Sequence, residues 1–423
     1  MPNKNVLTWS LIIGGVILAA IVIVAFMVYP IVAVFFRYRR PETPAELREP
    51  RIVIGAEFLS RNQLLTTAQF KPSFASAGIG RIEDIAIGEL DSHPGLDVAI
   101  AGDNGAAIVD RNGVKRSHVL YEFELDESKK GIFSSPTFRT ILGDVQVIDI
   151  EGDGTCEYLA RGSLDGAAVF NHQGKRLWSY GAFTKERTSI DNLAAGDING
   201  DGVAEFIAGW NGLELFDRHG NKAWAQPSET GFFRIEVVDV DGDGKNEILH
   251  GNGHSLIIRD GRGQVFKEVE MPFYVSQFQL CAMPGPNEPS HVLAVEDDHI
   301  WLVDFNGQVV HKFAAPLSSF SMPRQTSWGD LEDFGSGETS VYKAKGVWVK
   351  LKEAKPAFLA VVTKFVAIDR SVLYIYSAEG KLVYQEVMPE QCSSIAVLSP
   401  EDGGAAQELL IGGTETVWRY SAR

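Results

Sequence analysis

Three acidic nine-residue stretches decide the fold of this chain. They are Asp149-Ile-Glu-Gly-Asp-Gly-Thr-Cys-Glu157, Asp197-Ile-Asn-Gly-Asp-Gly-Val-Ala-Glu205 and Asp239-Val-Asp-Gly-Asp-Gly-Lys-Asn-Glu247. Each stretch has an acidic or amide side chain at positions 1, 3, 5 and 9, and glycine at positions 4 and 6. Alternating oxygen ligands, with glycine where the chain turns sharply, suit a hard cation such as calcium. Three copies in one register favour metal loops over the alternative of acidic surface turns.

The residues that flank the three loops exclude an EF-hand. That motif needs a bidentate glutamate at position 12 and a helix on each side of the loop. Position 12 is instead Ala160, Ala208 and His250. The flanks have the composition of strands, as in residues 145–149 before the first loop and 205–209 after the second. We therefore predict loops that connect β-strands.

Composition favours a large all-β domain. The chain has 423 residues, of which 45% are hydrophobic, and its 42 glycines indicate many turns between short strands. The net charge is −16, and the three loops hold eleven carboxylates, so three bound Ca²⁺ ions would bring it to −10. This local acidity excludes general nucleic-acid binding. The three cysteines are far apart and odd in number, which excludes a disulfide framework or a zinc site.

The N-terminal 40 residues have the pattern of a membrane anchor with a short tail. Residues 11–36 are almost wholly apolar, which exceeds the roughly 20 residues that span a bilayer. Trp9, Tyr29 and Tyr38 stand where interfacial aromatic residues are expected. No small-residue cleavage site follows, so we predict one uncleaved transmembrane helix rather than a signal peptide or a buried globular helix. Residues 41–50 contain three prolines and form a predicted spacer.

The orientation of this single-pass anchor has two opposing indications. Arg37, Arg39 and Arg40 follow the helix, whereas only Lys4 precedes it, and the positive-inside rule would then place the C-terminal domain in the cytoplasm. Weak calcium sites fill at the high calcium concentrations found outside cells. We expect an extracytoplasmic domain, with the cytoplasmic orientation as the alternative.

An internal repeat extends over residues 51–423. The loops of seven copies begin near residues 89, 149, 197, 239, 283, 330 and 399. Four short strands per copy at this period predict a seven-bladed β-propeller, with six or eight blades as alternatives if a weak copy is misread. The last copy has only three strands before the C-terminus. A fourth is expected from the N-terminal side, either residues 51–55 or residues 64–70, and would close the ring.

Four copies, the first, fifth, sixth and seventh, are degenerate, and the loop of the fifth has lost the acidic ligands. The first keeps Glu89, Asp91 and Asp97 but has His93 at position 5, so we expect no metal there. The sixth begins at Trp328, one residue out of register, and resumes at Phe358.

Residues 145–160, 193–208 and 235–250 resemble the FG-GAP/VCBS-type β-propellers, which are related in design to the integrin α-subunit head. The resemblance implies structural calcium, three ions in consecutive blades, with position 7 (Thr155, Val203 and Lys245) offering backbone carbonyls. Glu151 departs from the usual Asp or Asn at position 3. The implied side-chain ligands are Asp149, Glu151, Asp153, Glu157, Asp197, Asn199, Asp201, Glu205, Asp239, Asp241, Asp243 and Glu247.

No catalytic motif stands out in the sequence. Trp178 and Trp224 follow Gly-x-x-x-Trp turns like those of quinoprotein propellers, but only two copies have the tryptophan, so packing between blades is the favoured interpretation. His172 and His219 occupy equivalent outer turns and are expected to be solvated turn residues. We predict a membrane-tethered module that binds a protein or glycan. The alternative is an enzyme, such as a polysaccharide-active propeller, with a site in the central channel.

One basic stretch departs from the overall acidity. Residues 343–355, from Lys343 to Lys355, contain five lysines and one glutamate. Val347, Val349 and Leu351 alternate with polar residues or tryptophan, which predicts an exposed hairpin strand. The stretch is therefore either a solvated loop or a docking surface for an acidic partner or anionic headgroups.

Overall fold

The computed structural model describes residues 52–54, 65–70, 79, 81–90, 95–102, 105–120, 123–124, 137–138, 142–162, 166–181, 192–209, 212–227, 234–275, 278–281, 290–296, 299–314, 341–351, 357–365, 371–400 and 406–422. The predicted membrane helix and spacer lie outside these residues. Within the described part of the chain, no helix is both long and apolar enough to cross a membrane.

The described residues form seven antiparallel sheets, each of which is one blade of a propeller. Blade 1 consists of Ile82–Gly88, Asp97–Gly102, Gly105–Asp110 and Lys115–Leu120. Blade 2 consists of Leu142–Ile148, Glu157–Gly162, Gly166–Phe170 and Arg176–Gly181. Blade 3 consists of Asn192–Gly196, Glu205–Gly209, Gly212–Phe216 and Lys222–Pro227. Blade 4 consists of Ile235–Val238, Glu247–Asn252, Ser255–Arg259 and Val265–Glu270.

The remaining three blades continue the same meander. Blade 5 consists of Gln279–Cys281, His291–Glu296, His299–Val303 and Val309–Ala314. Blade 6 consists of Val341–Val349, Phe358–Phe365, Ser371–Tyr376 and Leu382–Val387, and blade 7 of Ser394–Leu398, Glu408–Gly412 and Val417–Ala422. A short ladder of Phe123–Glu124 and Thr137–Phe138 lies between blades 1 and 2 in the sequence. Together with Leu65–Phe70, which supplies the fourth strand of blade 7, these strands confirm the prediction of seven four-stranded blades.

Both N-terminal candidate strands pair with the C-terminal blades. Leu65–Phe70 is the fourth strand of blade 7, where Leu65 lies opposite Ala422 and Phe70 opposite Val417. Ile52–Ile54 adds a fifth strand to the outer edge of blade 6. The predicted closure is therefore made by the second candidate, and the first candidate extends the neighbouring blade.

The hydrophobic core is divided among the interfaces between blades. Seven clusters of buried side chains occur among the described residues, one for each pair of adjacent blades, including the pair of blade 7 and blade 1. Because each sheet is covered on both faces, second strands such as Asp97–Gly102 are buried along their whole length. This explains the continuous apolar runs in the sequence.

The predicted packing of the tryptophans between blades is confirmed. The Trp178 ring of blade 2 stacks on Phe206 of blade 3, with ring centroids 4.7 Å apart. A β-carbon on Gly220, whose φ is 80°, would lie only 1.6 Å from Trp178 Nε1. Trp224 Nε1 likewise donates to the carbonyl of Gly261 in the next blade, at 3.1 Å. His219 is an exposed turn residue, as predicted.

The predicted position of the sixth copy along the chain is wrong. Its first strand is Val341–Val349 and its second is Phe358–Phe365, so the connection between them begins after Val349 and not near residue 330. The lysine-rich stretch is therefore not an exposed hairpin. Trp348 and Val349 are both buried, because an inner strand is packed on both faces by the neighbouring blades.

Candidate functional site: the acidic loops and the central channel

The acidic loops lie on one face of the propeller. In a four-stranded meander, the loop between the first and second strands and the turn between the third and fourth strands emerge at the same end of the sheet. We call this end of the ring the loop face; it carries residues 149–157, 197–205 and 239–247. Its outer turns are regular: Asp260 Oδ1, for example, accepts from the backbone N–H groups of Arg262 and Gln264 at 3.0 and 2.8 Å.

Each acidic loop is held in shape by its own first carboxylate. In blade 4, Asp239 Oδ1 accepts from the N–H of Gly242 at 2.6 Å, and Asp239 Oδ2 accepts from that of Gly244 at 3.0 Å. Asp149 and Asp197 make the same pair of hydrogen bonds in blades 2 and 3. The three loops therefore share one backbone conformation, as their common register predicts.

The glutamate at position 9 closes each loop from the side of the core. Glu157, Glu205 and Glu247 each accept a hydrogen bond from the backbone N–H of position 2 and are each 7% exposed. Burial raises the pKa of all three carboxyls, and the negative charges of neighbouring loop carboxylates raise the pKa further. A cation among these groups would offset both effects.

The donor set fits a hard cation best in blade 4. One oxygen each of Asp239, Asp241 and Glu247 lies within 4.8 Å of the others. Carboxylate oxygens in such a cluster are the ligands that Ca²⁺ prefers. In blade 3, by contrast, Asn199 Nδ2 donates to Asp201 Oδ2 at 3.1 Å and to Glu205 Oε1 at 2.6 Å. The Asn199 amide would have to turn before its oxygen could serve as a ligand.

Backbone contacts connect the loops of adjacent blades. The N–H of Asn246 in the blade 4 loop donates to the carbonyl of Asp197 in the blade 3 loop at 2.9 Å. The N–H of Cys156 makes the equivalent bond to the carbonyl of Glu89 at 2.7 Å. The degenerate first loop thus participates in this connection through its backbone, although residues 91–94, which include Asp91 and His93, lie outside the described residues.

The central channel holds a second cluster of charged side chains. A cavity of about 200 Å³ is lined by inner strands of blades 1, 4, 5, 6 and 7. Lys345 of blade 6 pairs with Asp84 of blade 1, and Asp84 Oδ2 also accepts from the Val145 N–H of blade 2 at 3.1 Å. Arg234 pairs with Glu236 on the blade 4 inner strand. Both carboxylates that line this cavity therefore face a cation.

Sequence reasoning did not find these channel residues. Asp84 is 3% exposed and follows Glu83 in an inner strand whose other residues are not charged, and this pair of carboxylates is the signal that could have identified it. Lys345 lies in the basic stretch whose exposure was predicted wrongly. Its partner is 261 positions away in the sequence, so spacing alone could not join the two residues.

Comparison with known proteins supports the architecture. The structure of BBS1N in complex with ARL6DN aligns with a TM-score of 0.56 at 10% identity, covering 85% of this chain and 98% of that one. Chaetomium thermophilum Raptor aligns with a TM-score of 0.52 at 11% identity, over 85% of this chain and 29% of Raptor. The Neurospora crassa Pan2 WD40 domain gives 0.46 at 11% identity, over 85% and 95%.

At such low sequence identities, the structural matches show the propeller fold but no family and no function. No protein-family model matches the chain, and no curated protein matches it either. The predicted resemblance to FG-GAP/VCBS-type propellers and the predicted calcium ions therefore remain predictions.

Proposed function

We propose that this protein is a membrane-tethered binding or assembly module whose propeller recruits a protein partner. The observation that carries the proposal is the pairing inside the channel. Asp84 and Glu236, the carboxylates of the channel cavity, are each bound to a cation from the same ring. These ion pairs neutralise the channel carboxylates within the ring, and the surfaces that vary from blade to blade are the outer rim and the loop face. The BBS1N structure, which has the same fold, was determined in complex with ARL6DN.

Structural calcium in three consecutive blades is part of this proposal. Asp239, Asp241, Asp243 and Glu247 would hold the ion in blade 4, and the equivalent side chains of blades 2 and 3 would hold the others. The ion would supply positive charge where buried carboxylates converge, and the hydrogen bond from Asn246 to Asp197 would couple neighbouring loops. The ions would then stabilise the loop face as a rigid surface.

The membrane anchor and the orientation complete the proposal. The apolar segment of residues 11–36 supports a single-pass anchor. The calcium loops favour a propeller outside the cytoplasm, where weak sites are filled. Protease treatment of sealed membranes tests the orientation, because an extracytoplasmic propeller is cleaved from outside. Protection from outside would show the cytoplasmic orientation instead.

Cross-linking in intact membranes tests the binding function. The full-length chain is compared with residues 1–50 fused to an unrelated soluble domain, which keeps the membrane segment and removes the propeller. We expect at least one protein to be cross-linked to the full-length chain about tenfold more than to the control. The proposal is refuted if no protein is enriched over the control.

A further inference from the structure

The outer strands differ in the two residues that follow the third-to-fourth-strand turn. At this position, where each of these ladders has a bulge, blades 1 to 3 have a basic residue followed by Arg, Leu or Ala. Blades 4, 5 and 6 have two apolar residues instead: Val265 and Phe266, Val309 and Val310, and Leu382 and Val383. Apolar residues at equivalent positions in three consecutive blades suggest a shared surface role.

Only one of these three apolar pairs lies beside an added strand. In blade 6, Ile52–Ile54 pairs with the three residues that follow the apolar pair, and Val383 is 1% exposed because it packs in the core between blades 6 and 7. In blade 4, the equivalent Phe266 is 53% exposed and Val265 is 55% exposed. Among the described residues, no strand pairs with the outer edge of blade 4. An edge strand with exposed apolar side chains is a template for strand addition.

The backbone of blade 4 has the same register as the backbone that accepts the fifth strand in blade 6. The Met388 N–H donates to the Ser371 carbonyl at 2.8 Å, and the Met271 N–H donates to the His254 carbonyl at 2.7 Å. At the residue three positions before each of these methionines, the backbone N–H and C=O groups point away from the sheet. In blade 6 this residue is Gln385, which lies opposite Val53. In blade 4 it is Glu268.

The charges along the outer edge of blade 4 indicate which kind of strand could pair with it. Glu268 and Glu270 are exposed, and neither forms an ion pair with another described residue. The lysine of this strand binds groups of blade 5 instead: Lys267 Nζ donates to the Phe305 carbonyl at 2.8 Å and to Asn306 Oδ1 at 2.7 Å. In an extended strand, Glu268 and Glu270 lie on the same face, and Phe266 is the bulge residue that precedes them. The edge therefore offers an apolar position followed by two unneutralised acidic positions.

We propose that the outer edge of blade 4, Val265–Glu270, accepts an extended segment of a partner protein with alternating basic and apolar residues. The segment adds a fifth strand, as Ile52–Ile54 does two blades further along the same rim. Its basic residues lie opposite Glu268 and Glu270, and an apolar residue lies opposite Phe266. This inference rests on the proposed binding function and names its docking surface.

The two neighbouring blades show why blade 4 is the preferred edge. In blade 3, the residue equivalent to Glu270 is Pro227, which has no N–H to donate to an added strand. In blade 5, the residue equivalent to Glu268 is Lys312, whose Nζ lies 3.9 Å from the centroid of the Trp301 ring. Neither edge combines a complete backbone with free acidic side chains.

Peptide binding to the full-length chain, purified in detergent, tests the docking strand. The probe is a fluorescent peptide with the core Lys-Val-Lys-Val-Val-Thr, and the control peptide has glutamate in place of both lysines. We expect the lysine peptide to bind at least about tenfold more tightly. Glu268→Pro removes the outward N–H and should weaken binding about tenfold or more, whereas Glu268→Ala keeps the N–H and should weaken it much less. Unchanged circular dichroism and melting temperature control for the fold.

Three results would refute the proposal that Val265–Glu270 is a docking strand. They are equal binding of the two peptides, binding to Glu268→Pro that equals the wild type, and dimerisation of the chain through this edge in sedimentation, which would make the occupant a second copy. Cross-linking in membranes separates this failure from that of the binding function. If Glu268→Pro still captures the partner found with the wild type, only the docking strand is wrong. If the wild type captures none, the proposed function itself fails.

Discussion

Removal of calcium should lower the melting temperature of the propeller. The perturbation is EGTA against about 10 mM CaCl₂, and each loop is expected to behave as a weak extracellular-type site with a Kd of about 0.1–1 mM. An ion that binds only the folded state then stabilises it by about 1.4–2.7 kcal/mol per site. Three sites contribute about 4–8 kcal/mol. The entropy of unfolding is about 0.8 kcal/mol/K for a domain of about 370 residues, so the expected shift is about 5–10 °C.

Two variants in blade 4 separate calcium binding from loop stability. Asp241→Ala removes one proposed ligand, and the calcium-dependent shift should fall by about a third because one of three sites is lost. Asp260→Ala is the matched control, because Asp260 caps the outer turn of the same blade and is not a proposed ligand. Loss of its two hydrogen bonds should cost about 1–2 kcal/mol, equally with and without calcium.

Differential scanning fluorimetry or calorimetry of the wild type and the two variants, each in EGTA and in calcium, measures these shifts. The metal assignment is refuted if wild-type melting curves in EGTA and in calcium agree within about 1 °C. It is also refuted for blade 4 if Asp241→Ala keeps the full calcium-dependent shift.

Three further predictions concern contacts between blades and one buried histidine. Arg111→Met should cost about 1 kcal/mol in denaturant unfolding, since Arg111 of blade 1 pairs with Glu408 of blade 7 at 3.1 Å across the closure of the ring, whereas Arg111→Lys should lose less. Trp178→Ala should cost about 2–3 kcal/mol, and Trp178→Phe about half of that, because the ring fills the space above Gly220. Burial lowers the pKa of His250 to about 3, so only the unfolded state takes up its proton as the pH falls below about 6.5. The free energy of unfolding should then decrease by about 2 kcal/mol from pH 7 to pH 5, and His250→Gln should lack this component; equal pH slopes would contradict it.

The sequence predicted the repeated parts of the molecule well. The pattern in residues 197–205 located the loop between the first and second strands of blade 3, and the strand expected at residues 205–209 is Glu205–Gly209. The closure of blade 7 was predictable because the last copy of the repeat has three strands, whereas a complete blade has four. Such inferences succeed where local sequence determines local structure.

The parts that depend on distant residues were not predictable. Lys345 looked solvent-exposed because its partner, Asp84, belongs to a blade on the other side of the ring closure. The alternation of Val347, Val349 and Leu351 with tryptophan and lysine suggested a strand with one solvent-exposed face. An inner strand of a propeller instead has a neighbouring blade on both faces and the channel at its edge. The hydrogen bond from Asn246 to Asp197 also depends on how two blades are placed, which no single repeat contains.

The pairing of Leu65–Phe70 with Val417–Ala422 sets an order of events during synthesis. The outermost strand of the last blade leaves the ribosome about 350 residues before its partner, which corresponds to roughly 20–70 s at about 5–20 residues per second. During that interval its edge is unpaired, while blades 1 to 6 can already pack in sequence. The nascent chain is therefore an open arc with an unpaired strand at its start, and the emergence of Val417–Ala422 is the step that turns it into a ring. A truncation before residue 417 would deprive Leu65–Phe70 of its partner and leave such chains open to aggregation and proteolysis.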